Sequence, residues 1–78
     1  MNTAMSYKVR TALMLMDWDK VRRVLLDTRK ITVVTANDSR KFQFRSNTEA
    51  KMALNDWLNM PNARPDLCQG VLELSLLQ

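Results

Sequence analysis

Histidine is absent from this chain. With it go the commonest general base, the Ser-His-Asp and Cys-His nucleophile systems, and most zinc sites. The single glycine, Gly70, leaves no room for the glycine-rich loops that cradle phosphates. The single cysteine, Cys68, cannot close an internal disulfide, and no paired-cysteine metal motif exists. With no histidine to activate it, Cys68 reads as a small buried hydrophobe. One free thiol suits a reducing compartment. No apolar run approaches the ~20 residues of a membrane-spanning helix. Lys8 and Arg10 interrupt the apolar pattern of the first residues, so no secretory signal is expected and the chain is read as cytoplasmic. Asp17 and Asp19 form a close acidic pair, but their spacing of two suits a helix cap better than a catalytic dyad or a cation site. The expectation is a protein with no catalytic, cofactor-binding or metal-binding residues, and so no enzyme.

What the chain does have is charge, unevenly spread. Residues 1–45 hold ten Lys and Arg against four Asp, whereas residues 46–78 hold two basic against four acidic residues. The basic half can attract phosphates or an acidic protein, although +4 is also an ordinary charge for a small domain. At 78 residues the chain is one domain. A chain this short buries only ~60–65% of its unfolded surface, so dimerisation would stabilise it.

The clearest structural signal is a β-hairpin over residues 31–45 running into a capped helix over 46–60. A turn centred on Asn37-Asp38 pairs Val33 with Phe42 and Ile31 with Phe44. Ile31, Val33, Phe42 and Phe44 then share one face, and Thr32, Val34, Lys41, Gln43 and Arg45 share the other. Ser46 with Glu49 is a capping box. Ala50, Ala53, Leu54, Trp57 and Leu58 follow at helical spacing, with Trp57 as a core anchor, and Pro61 stops the helix.

Elsewhere the pattern is divided. Residues 1–4 read as a loose tail. Residues 6–13 read as a strand by alternation, yet Val9, Ala12, Leu13 and Met16 match a helix equally well. Residues 17–28 read as a helix with Trp18, Val21, Val24 and Leu25 at helical spacing. A rival reading makes 21–26 a strand turning through Asp27-Thr28-Arg29-Lys30. Residues 62–66 read as a loop, and 67–77 as a last strand in which Gly70 marks either a bulge or the strand's start.

The preferred fold is α+β: an antiparallel sheet of about four strands with two helices on one face, in the ferredoxin-like order β-α-β-β-α-β. The alternative is a β-meander with one packed helix. The run from Thr32 to Trp57, with Phe42, Phe44, Ser46, Glu49 and Trp57, resembles the last strands and closing helix of a pleckstrin-homology domain over about a third of the chain. It departs from that family in the strand expected after the helix. In size and in this segment the chain is also similar to small phage-encoded inhibitors such as anti-CRISPR proteins, a likeness of class from which no residue carries over.

Function is therefore a choice between binding roles. Two Trp, several Met and a basic surface suit a small adaptor or phage-type inhibitor acting through a protein partner. The alternative is a basic module contacting the phosphate backbone of nucleic acid. That alternative lacks aromatic platforms on its open face if Phe42 and Phe44 point inward. In either role the candidate contact residues are Arg22, Arg23, Arg29, Lys30, Arg40, Lys41 and Arg45. No membrane partner is expected, and a homodimer stays open.

Overall fold

The structure is a computed structural model that describes the backbone of residues 2–68 and the side chains of residues 7–68. Helix α1 (Asn2–Met14) leads into a 3-10 turn (Trp18–Lys20). Strands β1 (Val21–Asp27), β2 (Lys30–Thr35) and β3 (Ser39–Gln43) follow, then helix α2 (Asn47–Leu58) and a second 3-10 turn (Pro65–Leu67). The strands form an antiparallel meander in the order β1-β2-β3. Both helices contribute to one core against a single face of the sheet.

This is α+β with two helices, but two elements differ from the ferredoxin-like order. Residues 6–13 are helical, not a strand, and the helix takes in the expected tail from Asn2 onward. As a strand, the alternation would put Tyr7, Val9, Thr11, Leu13 and Leu15 on one face. Instead Tyr7 and Leu15 are 64% and 79% exposed, while Leu13 is buried and Val9, Ala12 and Met16 pack beside it. That set is the helical one, and Ala, Leu and Met favour the helix.

Residues 21–27 are a strand, not part of a helix. The spacing of Val21 and Val24 mimics helical periodicity, but its cause is a β-bulge. Val21 pairs with Thr35 and Arg23 with Val34, leaving Arg22 as the extra residue. The bulge brings both valines onto the inner face despite their odd spacing. The meander of the alternative reading is thus present, with two helices on it and not one. Of the expected fourth strand, Leu67 instead ends the second 3-10 turn, and the part from 69 onward, Gly70 included, lies outside the described residues.

The hairpin keeps its faces and changes its register. Ile31 pairs with Phe42 and Val33 with Arg40, two residues away from the expected pairing. Asp38 serves as an acceptor and not as a turn centre. Its carbonyl receives the Thr35 N–H at 2.8 Å and the Thr35 hydroxyl at 3.0 Å, and its carboxylate receives the Ser39 N–H at 2.7 Å. This moves the turn back to Ala36-Asn37. A shift of two preserves side-chain parity, so Ile31, Val33, Phe42 and Phe44 all remain buried.

Ser46 caps α2, its hydroxyl accepting from the Glu49 N–H at 3.1 Å. The Glu49 carboxylate reaches back to the Arg45 N–H, one residue before the usual capping-box partner. Trp57 is fully buried and stacks on Trp18 with ring centroids 3.8 Å apart. Each indole N–H is satisfied: Trp18 donates to the Trp57 carbonyl at 3.1 Å, and Trp57 donates to the Met16 carbonyl at 3.3 Å.

Candidate functional site

With both helices on one side, the outer face of the meander is covered by neither of them. Its side chains follow from strand alternation. Three cross-strand rows run over it: Arg23–Val34–Ser39, Leu25–Thr32–Lys41 and Asp27–Lys30–Gln43. Val24 and Leu26 point into the core, which turns Leu25 outward, where it is 38% exposed. Leu25 and Val34 sit on neighbouring strands in adjacent rows, diagonal neighbours on the same face. Arg23, Lys30 and Lys41 frame this pair. None of the three is ion-paired among the described residues.

The seven sequence-derived cations do not form one cluster. Arg23, Lys30 and Lys41 share the open face. Arg22 occupies the bulge and turns toward a groove at the sheet's edge. Arg29 sits in the β1–β2 turn, where its carbonyl receives the Phe44 N–H at 2.8 Å. Arg40 has inner-face parity; its guanidinium lies 5.6 Å from the Phe42 ring centroid and near the Met16 sulfur. It shields the rim of the core as a cation–π contact. Arg45 follows β3 and lies beside Glu49.

Leu25 is the member of the face that sequence reasoning placed elsewhere, because the helical reading of 17–28 gave it a buried role. The strand alternative for 21–26 carried the signal. The edge groove, of about 950 Å³, was not foreseen either, since it joins the segment after α1, the β1 bulge, the β2–β3 turn and Arg64. Its charges nearly balance. Lys20, Arg22, Arg40 and Arg64 face Asp17, Asp19 and Asp38, and Arg64 is bonded to Asp66 at 3.0 Å.

Several other polar groups have structural tasks. Asp17 caps the first 3-10 turn through the Asp19 N–H at 3.0 Å, as its spacing suggested. The hydrogen bond from Arg64 holds the Asp66 carboxyl below its usual range. Burial pushes the Cys68 thiol up to about 11, leaving it protonated and unreactive at neutral pH. Among the described residues, no group of three His, Cys, Asp or Glu could hold a metal ion, and no helix is long and apolar enough to cross a membrane. Comparison with protein-family models, curated proteins and solved structures returns no match for this chain.

Proposed function

We propose that the chain is a small non-enzymatic binding protein of the cytoplasm. It works by protein–protein contact, as an adaptor or a phage-type inhibitor of a host complex does. The observation that supports this reading is the chemistry of the open face: an aliphatic centre of Leu25 and Val34, a cationic rim, and no ring. Protein interfaces are built with apolar centres and polar rims. Single-stranded nucleic acid binds on exposed aromatic platforms, and here Phe42 and Phe44 are each only 4% exposed.

The second reading, phosphate-backbone contact, draws on the concentration of cations in residues 21–45, seven Lys and Arg against two Asp. The salt dependence of oligonucleotide binding separates the two. Three cations on one face give a log–log slope of about −2.7 on duplex DNA, or a roughly 40-fold loss between 50 and 200 mM salt. The protein-binding reading expects weak binding of oligo(dT) and duplex DNA alike, gone at 150 mM salt by fluorescence anisotropy. Sub-micromolar saturation at that salt would replace it with the nucleic-acid reading. Under the protein reading, one stoichiometric protein should also co-purify from lysate of the source cells and be lost from the variant Arg23→Glu/Lys41→Glu.

A further inference from the structure

We infer that the open face docks an extended acidic segment of the partner, one that carries an aliphatic side chain between its carboxylates. This rests on the protein-binding reading above and narrows it. Leu25 and Val34 receive the aliphatic group; Arg23 and Lys41 take the flanking carboxylates.

Charge selects the occupant. A second copy docked face to face would set Arg23, Lys30 and Lys41 against the same three cations, a like-charge juxtaposition that is strongly unfavourable. An acidic segment meets unpaired cations and strips few of its own ion pairs in doing so. Asp27 sits opposite Lys30 and repels a carboxylate at that corner. The binding register therefore favours the half of the face that holds Arg23 and Lys41.

Size selects an extended segment over a folded surface. Three strands about 4.8 Å apart and five to seven residues long, at ~3.3 Å per residue, span only a few hundred Å². A standard interface buries about 800 Å² per partner. A single chain of about six residues matches the smaller area. The centre selects its side chain, since Leu25 and Val34 lie diagonally across β1 and β2 with Thr32 opposite Leu25, and the three rows carry no ring on which a base could stack.

The test is an amide chemical-shift titration of the full isotope-labelled chain. The probes are a ten-residue peptide with one leucine flanked by glutamates, its Leu→Ser and Glu→Lys counterparts, and oligo(dT). Shifts at Arg23, Leu25, Thr32, Val34 and Lys41 are expected. Affinity should fall about five-fold with the Leu→Ser peptide and be lost with the Glu→Lys peptide. The chain variant Arg23→Glu/Lys41→Glu should lose binding while keeping its dispersed spectrum, and Lys8→Glu on α1 should retain it. Shifts confined to the helices or the groove would overturn this surface and leave the protein-binding reading standing. Oligo(dT) competing more tightly than the peptide at 150 mM salt would remove both. Absence of any shift would overturn the surface. So would nuclear Overhauser contacts placing residues 69–78 on it, or a dimer by sedimentation that shields its amides.

Discussion

Thr28 is the one non-glycine residue with a positive φ, at 60°, among the described residues. It sits in the two-residue turn between the paired Asp27 and Lys30. A β-branched residue in left-handed backbone carries about 1–2 kcal/mol of strain, and a turn with positive φ at its first position prefers glycine. Its hydroxyl donates to the Asp27 carboxylate at 3.4 Å, too long to offset much of that. Thr28→Gly relieves the strain but raises the entropy of the unfolded chain, for a net gain of about 0.5–1 kcal/mol. The melting temperature should rise by a few degrees; an unchanged or lower value would remove the strain argument. Cys68 gives a second test at this scale. Burial raises the thiol in the folded state from 9.0 to about 11, so the folded chain holds its proton where the unfolded chain has released it. Its contribution to stability is complete below about pH 9 and is lost as pH rises toward 11, roughly 2–3 kcal/mol in all. Urea denaturation across that window should show the loss in the native chain and not in Cys68→Ala. At pH 8 a thiol reagent should label the folded chain far more slowly than the unfolded one.

Among the elements, α2 was the most legible, because Ser46, Glu49, the apolar stripe ending at Trp57, and Pro61 are local signals that agree. The hairpin faces were legible for the same reason, since Ile31, Val33, Phe42 and Phe44 fix parity whatever the register. The register itself depended on which backbone groups Asp38 accepts, and composition does not carry that. Residues 6–13 and 21–27 were misassigned in opposite senses. In α1 the alternation Tyr7, Val9, Thr11 is coincidental, and the core takes the helical set Val9, Ala12, Leu13 and Met16. In β1 the bulge converted a strand into an apparent helix, and it also hid Leu25 from the candidate face. The bulge makes a direct prediction. Deleting Arg22 leaves Val21 opposite Thr35 and Val24 opposite Val33, so the fold should survive with a loss of about 1 kcal/mol or less, typical of a change outside the core. Deleting Leu25 from the regular part of the strand moves Leu26 to the outer face or breaks the turn, which should abolish the cooperative thermal transition. Equal loss in both deletions would mean that the bulge is needed to hold the strand.

At the scale of the molecule, three separate parts meet at Trp57. Its indole N–H holds the Met16 carbonyl beyond the end of α1, its carbonyl receives Trp18, and its ring stacks on Trp18 inside the core lined by Phe42 and Phe44. The other tie between the helices, the ion pair of Arg10 with Asp56, is half-exposed and contributes at most about 1 kcal/mol. A domain of this length has a total stability of about 4–12 kcal/mol. Removing a buried Trp costs about 3–5 kcal/mol, a share large enough to lower the melting temperature of Trp57→Ala by more than about ten degrees. Trp57→Phe keeps most of the apolar volume and gives up the bond to Met16, leaving that carbonyl without its indole partner, at about 1–3 kcal/mol. It should fold with a melting temperature lower by several degrees. Circular dichroism reads both effects. The stacked indoles should give a coupled aromatic signal that disappears in Trp57→Phe and in Trp18→Phe while the far-ultraviolet spectrum of each stays native. If Trp57→Ala melted within a few degrees of the native chain, the stack would be a peripheral contact, and the helices would be held to the sheet chiefly by Leu13, Leu54 and the phenylalanines.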